Sequence, residues 1–286
     1  MSAPSPPLEA FIKRVGQRSR PFTDLYAFLL RTSWTRLVLL AAALYVLTNA
    51  IFATLFWIVP GSIASSDGSW EEAFYFSVQT LGTIGYGYMH AQGRWGNLVV
   101  TAEAFVSIFV TATLTGIVFS KFARPHSRVL FSKPILIETR NGKPTLTFRV
   151  ANERGNDVVE AAVRVCALMG TKSEEGKSLR RFFDLELERA SSPVFLLSWQ
   201  VLHVIDESSP LHGLTATDLM AGDVRFVVSL TGFDGTFMQT IHARHVYWPS
   251  DVLFGHRFLD VIENLPGGVA QMDYRKFHET VAERRP

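Results

Sequence analysis

The residues with the clearest chemical meaning are Thr83-Ile84-Gly85-Tyr86-Gly87, a short stretch between two long apolar segments. A cation that sheds its water needs rigid, neutral oxygens in its place, and rings of backbone carbonyls supply them for K⁺. Pointing several consecutive carbonyls to one side of a chain requires positive φ, which glycine adopts without a steric penalty. The two glycines meet that requirement, and the threonine adds a hydroxyl as a further ligand. The alternative interpretation is an ordinary glycine-rich turn.

The flanking segments are long enough and apolar enough to cross a membrane. Residues 37–59 contain no charged side chain. As a helix rising about 1.5 Å per residue, they would extend roughly 35 Å. Residues 97–120 contain a single charge, Glu103. Both segments are predicted to be transmembrane helices.

The stretch between the two spans predicts a short helix that leads into the pentapeptide. Ser69 is a favourable N-cap for a helix over 70–81, and Glu71 and Glu72 suit its first turn. Four such helices would direct their negative C-terminal ends at one point, where a partly dehydrated cation is stabilised. With these flanks, residues 83–87 are predicted to be a selectivity filter. The predicted K⁺ ligands are the residues Thr83, Ile84, Gly85 and Tyr86.

Basic residues predict the orientation in the membrane. The loop between the two spans contains a single basic residue, Arg94, whereas the segments before the first span and after the second are rich in Lys and Arg. The flanking basic residues are Lys13, Arg14, Arg18, Arg20, Arg31, Arg36, Lys121, Arg124, Arg128 and Lys133. By the positive-inside rule, both termini are predicted to be cytoplasmic.

The rest of the chain divides by composition. Residues 1–20 are predicted to be disordered, and residues 21–36 to form an amphipathic helix on the membrane surface. Residues 123–134 are predicted to be a linker. From 135 to 286, alternating apolar and polar residues separated by turn signals predict an all-β sandwich. Its last part, 273–283, is predicted to be helical.

Composition and motifs argue against an enzyme. Cys166 is the single cysteine, which excludes an intramolecular disulfide and fits a reducing cytoplasm. The eight histidines show no zinc-ligand spacing, and neither a phosphate loop nor a nucleophile elbow occurs. We therefore expect no enzymatic activity, no cofactor, no metal besides K⁺ and no nucleic-acid partner.

Further segments carry a resemblance to a known family. They are Lys121-Phe122-Ala123-Arg124-Pro125, Arg149-Val150-Ala151-Asn152, His203 to Leu211, His242-Ala243-Arg244-His245 and Gly255-His256-Arg257-Phe258. Over residues 24–278 the chain resembles the prokaryotic inward-rectifier potassium channels, the KirBac family. The resemblance implies a homotetramer in the bacterial inner membrane. It also implies an α-helical pore domain followed by a C-terminal, all-β immunoglobulin-like cytoplasmic domain that extends the conduction path.

The resemblance gives roles to a stripe on the second span. The stripe consists of Glu103, Ser107, Thr111, Thr115 and Phe119, which follow at steps of four residues and so share one helix face. The family pattern implies that Ser107, Thr111 and Thr115 line a water-filled cavity. It implies that Phe119 is the gate at the bundle crossing, closing by dewetting. The alternative for serine and threonine is hydrogen bonding between helices, and Glu103 has the alternative of bracing the filter.

Three positions depart from the family pattern. Ser107 stands where several relatives carry a hinge glycine, with Gly116 as the alternative hinge. Thr111 stands where strongly rectifying relatives carry an acidic residue, so we expect weak block by internal cations. Tyr88 follows the filter in place of an aspartate found in many potassium channels, and properties of the outer mouth do not transfer.

The resemblance also implies lipid control and a second constriction. Anionic lipid headgroups would meet Lys121, Arg124 and Arg128. Trp34 is a further lipid-contact candidate on other grounds, because a tryptophan just before the first span suits the headgroup level. Simple positive-inside anchoring explains the same basic residues equally well. The segment Gly235, Thr236, Phe237 and Met238 matches a cytoplasmic constriction, for which a plain hairpin turn is the alternative.

Two other functions compete with a K⁺ channel. The first is a pore without strict K⁺ selectivity. The second is a two-span membrane sensor whose β-domain binds a partner and whose pentapeptide conducts nothing.

Overall fold

The chain forms two compact units in the computed structural model, which describes residues 25–123 and 128–283. The first unit is helical and the second is mainly β-sheet. The helices of the first unit are α1 (Leu25–Arg31), α2 (Trp34–Trp57), α3 (Trp70–Leu81) and α4 (Gly93–Phe122). This unit also contains two short antiparallel strands, β1 (Ile63–Ala64) and β2 (His90–Ala91).

Helices α2 and α4 are the two described helices that are long and apolar enough to cross a membrane. Helix α4 extends beyond the predicted 97–120 at both ends, whereas α2 begins three residues before and ends two residues before the predicted 37–59. The ends differ because uncharged length does not mark where a helix is capped. Both expose large apolar side chains over most of their length, including Val38, Leu39, Leu47, Ile108 and Phe109. Exposed faces of this kind require lipid or protein as a neighbour rather than water.

Helix α3 covers the residues predicted for the helix before the pentapeptide. Its N-cap is Ser69, whose hydroxyl accepts a hydrogen bond from the Glu72 amide at 3.2 Å. The acidic residues of the first turn lie at the positive end of the helix, where they are stabilising. The Phe76 ring packs edge-on against Phe56 of α2, with ring centroids 5.1 Å apart.

The prediction of one surface helix over 21–36 is wrong at its C-terminal end. Residues 1–24, which include the segment predicted to be disordered, lie outside the described residues. Helix α1 stops at Arg31 because Ser33 has an extended backbone and acts as the N-cap of α2. The Ser33 hydroxyl accepts from the Arg36 amide at 3.4 Å. Trp34 therefore begins the first spanning helix rather than ending the surface helix.

Close backbone contact sets the position of α4 in the helical unit. The Ser62 carbonyl accepts a hydrogen bond from the Gln92 amide at 2.7 Å, just before α4 begins. The same carbonyl oxygen would lie 2.2 Å from a Cβ atom placed on Gly96. Only glycine fits at that position, because the carbonyl is backbone and cannot swing away.

The second unit is a sandwich of two five-stranded sheets. One sheet has the order β11-β10-β6-β7, with β8 also paired to β6, and the other has the order β12-β4-β5-β3, with β9 also paired to β5. The strands are β3 (Val129–Phe131), β4 (Ile135–Arg140), β5 (Lys143–Asn152), β6 (Val158–Lys172), β7 (Ser178–Leu185), β8 (Ser191–Phe195), β9 (Ser198–Val204), β10 (Arg225–Asp234), β11 (Gln239–Tyr247) and β12 (Val252–Phe254). A short helix, α5 (Ala216–Ala221), precedes β10.

The core of the sandwich comes from residues that alternate along the strands. Every second residue of β10 points inward, and the buried side chains include Phe226, Val228 and Leu230. They join Phe148 and Val201 of the opposite sheet in one apolar cluster. The predicted membrane helices followed by an all-β sandwich are therefore confirmed.

The helix predicted over 273–283 is wrong. Two antiparallel strand pairs occupy this end of the chain: β13 (His256–Phe258) pairs with β16 (Thr280–Ala282), and β14 (Ile262–Leu265) pairs with β15 (Val269–Met272). Asp273 caps a single 3₁₀ turn, and its hydrogen bond from Arg275 lowers the pKa of that carboxyl to about 2. The buried ring of Phe277 then turns the chain toward β16.

Replacing Gly96 by alanine should destabilise the helical unit. The added methyl group would overlap the Ser62 carbonyl, so we expect a loss of about 1–3 kcal/mol in unfolding free energy. The measurement is thermal or denaturant unfolding of the detergent-solubilised full chain.

Gly116→Ala is the matched control, because Gly116 lies in the same helix and a Cβ there meets nothing within 4 Å. Equal midpoints for the two variants would contradict the close contact.

Candidate functional site

The pentapeptide lies at the C-terminal end of α3 and has an alternating backbone. Helix α3 ends at Leu81, and the Gly82 amide donates to the Val78 carbonyl at 2.9 Å. Positive φ then occurs at every second residue, with 55° at Thr83, 58° at Gly85 and 84° at Gly87. Positive φ at both glycines was predicted. Positive φ at Thr83 was not predicted. Thr83 stands two residues before Gly85, as Gly85 stands two residues before Gly87, and this spacing could have indicated it.

The amides and carbonyls of this loop are used differently. The Ile84 and Gly85 amides donate to the Gln79 carbonyl at 2.8 and 3.4 Å, and the Thr83 amide donates to the Thr80 carbonyl at 3.0 Å. Among the described residues, no hydrogen bond reaches the carbonyl oxygens of residues 83–86. The loop is therefore anchored through its N–H groups and keeps its carbonyls available.

The loop is open to its surroundings within a single chain. All five residues are exposed, and Tyr86 is 76% exposed. The aromatic ring is thus not packed by the helices of its own chain. A loop of this shape needs neighbours to cover its side chains.

A buried polar cluster ties α3 to the two spanning helices. The Ser77 hydroxyl of α3 lies 2.5 Å from Glu103 Oε1 of α4 and 3.1 Å from Asn49 Oδ1 of α2. All three side chains are fully buried. Glu103 therefore does not line a cavity, and its alternative position beside the helix that leads into the loop is the one observed.

Ser107 was predicted to line a cavity, and the structure corrects this. Its side chain is only 4% exposed, and its hydroxyl donates to the Leu81 carbonyl at 2.7 Å. Hydrogen bonding between helices, the alternative interpretation, is therefore right for Ser107. The prediction failed because the partner is a backbone carbonyl at the end of α3, which no side chain in the sequence reveals.

The part of the α4 stripe that lies toward the C-terminal end of the helix is exposed. Thr111, Thr115 and Phe119 have no covering residue in the described part of their own chain, and Phe119 is 71% exposed. The stripe thus changes from buried at Ser107 to open at Thr111. The open part is where a cavity and a gate were expected.

Lys121 was predicted to contact lipid, and the structure places it elsewhere. Its side chain is buried, and its ammonium donates to the Leu30 carbonyl at 3.2 Å and to the Thr32 carbonyl. It also lies 5.4 Å from the centroid of the Trp34 ring. Two of the three N–H groups of this ammonium are thus used inside the chain, and the buried side chain presents little surface to headgroups.

The other lipid candidates are Trp34, Arg124 and Arg128. Trp34 is partly exposed and its ring packs against Phe122 at a centroid distance of 4.6 Å. Arg128 is exposed in the β unit. Arg124 lies outside the described residues.

The predicted cytoplasmic constriction is a loop that joins β10 and β11. Asp234 Oδ1 accepts from the Thr236 and Phe237 amides at 2.9 and 3.2 Å. The Arg154 guanidinium stacks on the Phe237 ring at 4.6 Å and lies 3.6 Å from Asp234. Met238 ends the loop with a positive φ of 52° and an exposed side chain. In one chain, residues 235–238 therefore have the geometry of a hairpin turn.

Comparison with known proteins identifies the class of protein. Residues 34–124 match a family model described as "Ion channel", and residues 129–286 match the "Inward rectifier potassium channel C-terminal domain". Within residues 25–123 and 128–283, no group of three or more His, Cys, Asp or Glu side chains could hold a metal ion. A membrane ion-channel unit followed by this β-domain defines the inward-rectifier class.

The chain belongs to the inward rectifier potassium channel family, in its prokaryotic branch. It is 40% identical to "Inward rectifier potassium channel Kirbac3.1" of Paramagnetospirillum magnetotacticum, covering 94% of this chain and 92% of that protein. It is 29% identical to "Inward rectifier potassium channel 18" of Homo sapiens, covering 95% of this chain and 68% of the human protein.

Removing the Ser107 hydroxyl should loosen the end of α3. Ser107→Ala leaves the buried Leu81 carbonyl without this donor, and we expect a loss of about 1–3 kcal/mol in unfolding free energy. The control is Thr113→Val, because the Thr113 hydroxyl bonds only the Phe109 carbonyl of its own helix. Unfolding of the solubilised protein by denaturant measures both, and an unchanged midpoint for Ser107→Ala would show that the bond is dispensable.

Proposed function

We propose that this protein is a K⁺-selective channel of the inward-rectifier type, through which K⁺ passes passively. The observation that carries the proposal is the loop after α3, where positive φ alternates at Thr83, Gly85 and Gly87 while the carbonyls stay unpaired within the described chain. Carbonyls arranged in this way replace the hydration shell of K⁺. The K⁺ ligands are Thr83, Ile84, Gly85 and Tyr86.

The proposed assembly is a homotetramer. One loop supplies oxygens on one side of an ion only, and four loops around an axis are needed to surround it. The exposure of Tyr86 and of the apolar face of α4 supports this assembly, because large aromatic and apolar surfaces are covered by lipid or by another protein chain rather than by water. In the tetramer, the C-terminal ends of four α3 helices favour a cation below the filter.

The proposed path continues along the open part of α4. Thr111 and Thr115 face a water-filled cavity, and four Phe119 rings form a hydrophobic constriction that gates by dewetting. Residues 235–238 form a second constriction in the cytoplasmic domain. Because Thr111 is uncharged, we expect weak block by internal Mg²⁺ or polyamines.

The proposed setting is the inner membrane of a bacterium, with both termini in the cytoplasm. We expect no intrinsic voltage sensor in this channel, since no arginine-rich spanning helix occurs in the sequence. Anionic lipids modulate the channel through Arg124 and Arg128, each worth about 1 kcal/mol near an anionic surface. Trp34 lies at headgroup depth. Lys121 is left out of this proposed set, because its buried ammonium donates to the Leu30 and Thr32 carbonyls.

The relatives support the proposed activity by their names. The two proteins compared above are both called inward rectifier potassium channels. Their likeness extends over nearly the whole of this chain, including the loop and the β-domain. A shared pore and cytoplasmic domain is expected to serve the same transport.

Gly85→Ala should abolish ⁸⁶Rb⁺ uptake into proteoliposomes while leaving the tetramer assembled. A methyl group at a residue with φ of 58° strains the backbone and turns a filter carbonyl away. The control is Gly61→Ala, because Gly61 also has positive φ, 76°, and no atom within 4 Å of a Cβ, yet lies outside the loop.

Normal uptake by Gly85→Ala would refute the filter assignment. Wild-type uptake no greater than that of empty vesicles would favour a membrane sensor instead. A permeability ratio near unity in mixed K⁺ and Na⁺, read from the reversal potential, would favour a pore without selectivity.

Phe119→Ala should raise basal ⁸⁶Rb⁺ flux, because smaller side chains widen the constriction and let it stay wet. Phe109→Ala serves as the control, since Phe109 is equally exposed but lies about 80° around the helix from Phe119. If both variants conduct like the wild type, the gate lies at another level of the path.

A further inference from the structure

Three polar side chains meet in the interior of the helical unit, one from each of α2, α3 and α4. Ser77 Oγ lies 2.5 Å from Glu103 Oε1 and 3.1 Å from Asn49 Oδ1. The Asn49 side-chain amide in turn lies 2.8 Å from the Tyr45 carbonyl oxygen. None of the three side chains has surface exposed to solvent.

The hydrogen bonds of this cluster determine which group donates in each contact. The Tyr45 carbonyl only accepts, so the Asn49 NH₂ group faces it and the Asn49 Oδ1 atom faces Ser77. Oδ1 also only accepts, and the Ser77 hydroxyl must therefore donate its one proton to it. The proton in the contact between Ser77 and Glu103 then has to come from Glu103.

We infer that Glu103 is a neutral carboxylic acid that donates to Ser77, and that this bond positions the helix leading into the filter. Ser77 donates onward to Asn49, and Asn49 donates to Tyr45, so one directed chain of donors crosses from α4 through α3 to α2. The inference rests on the proposed function for the role of the filter, whereas the protonation of Glu103 rests on the hydrogen-bond geometry alone.

An ionised Glu103 fits this environment poorly. It would accept the hydrogen bond of the Ser77 hydroxyl. The Asn49 Oδ1 atom would then face a lone pair of the Ser77 oxygen and have no donor from it. Its second oxygen, Oε2, is buried and has no partner among the described residues. A buried carboxylate with half of its acceptors unpaired is strongly destabilised.

No basic group near Glu103 compensates such a charge. The charged or titratable side chains on the three packed helices, apart from Glu103, are Arg36, Tyr45, Glu71, Glu72, Tyr75, Arg94 and Lys121. None forms a salt bridge with Glu103 in the described chain, and the ammonium of Lys121 is bonded to the end of α1.

The neutral acid works together with Ser107. Glu103 and Ser107 are four residues apart on α4, and their partners Ser77 and Leu81 are four residues apart on α3. The two helices are thus joined at two successive turns, directly before the filter. Glu103 is a positioning residue here, since it touches Ser77 and not the carbonyls of the filter.

The functional test compares Glu103→Leu with Glu103→Gln in the full-length protein in liposomes. Leucine removes the donor, and we expect the K⁺/Na⁺ permeability ratio to fall about tenfold and the thermal midpoint of the solubilised tetramer to drop. Glutamine should rescue both quantities, because its NH₂ group donates to Ser77 as the acid does. Thr101→Val is the control, since the Thr101 hydroxyl bonds only the Asn97 carbonyl of α4.

A glutamine variant as defective as the leucine variant would overturn the inference, because it would show that the negative charge is needed. A leucine variant with wild-type selectivity and midpoint would overturn the positioning role.

Infrared spectroscopy tests the protonation without any ion flux. The difference spectrum of wild type minus Glu103→Gln at neutral pH should contain a carboxylic-acid C=O band. Carboxylate bands in its place would overturn the inference. Absence of ⁸⁶Rb⁺ uptake in a wild type that shows the acid band would instead refute the proposed channel, so the two failures are distinguishable.

Discussion

The attachment of α3 to α4 is the constraint on which the loop depends. Positive φ at three alternating residues includes the β-branched Thr83, a conformation that costs of order 1 kcal/mol or more and persists only when its surroundings enforce it. The Gln79 carbonyl binds two amides of the loop, and the Leu81 carbonyl binds Ser107 from α4. If α3 shifted against α4, the bond between the Leu81 carbonyl and Ser107 would break, and the residue at the end of α3 would lose the support that fixes the start of the loop.

Local signals made the helical unit partly predictable. Ser69 and the acidic residues after it mark the start of α3, because capping acts between neighbours in sequence. Ser107 and Lys121 could not be placed in this way, since they bond backbone carbonyls 26 and 91 residues away. Because every residue has a backbone carbonyl, the sequence does not indicate which of them will accept a side-chain hydrogen bond. The family resemblance, together with polar or basic character, therefore suggested cavity and lipid roles for two side chains that the fold uses to join helices.

The β unit shows the same division between local pattern and distant pairing. Alternation along β10 predicts a half-buried strand because every second side chain faces the core. Which strands pair cannot be read from alternation, and β12 pairs parallel with β4 from the far end of the domain. The error at residues 273–283 has this origin as well. The charges there suit a helix, but burial of Phe277 and pairing of β16 with β13 outweigh that preference.

The stripe on α4 changes its role where α3 ends. At Glu103 and Ser107 the stripe meets α3 and its polar groups are consumed by hydrogen bonds between helices. One turn further, the stripe is open in the described chain, and its next two members, Thr111 and Thr115, are exposed. Phe119 lies twelve residues beyond Ser107, about 18 Å along the helix. In the proposed channel this distance leaves space for a hydrated ion between filter and gate. In that proposed channel, one face of α4 therefore holds α3 in place at one end and lines the ion path at the other, and the end of α3 marks the boundary between the two parts.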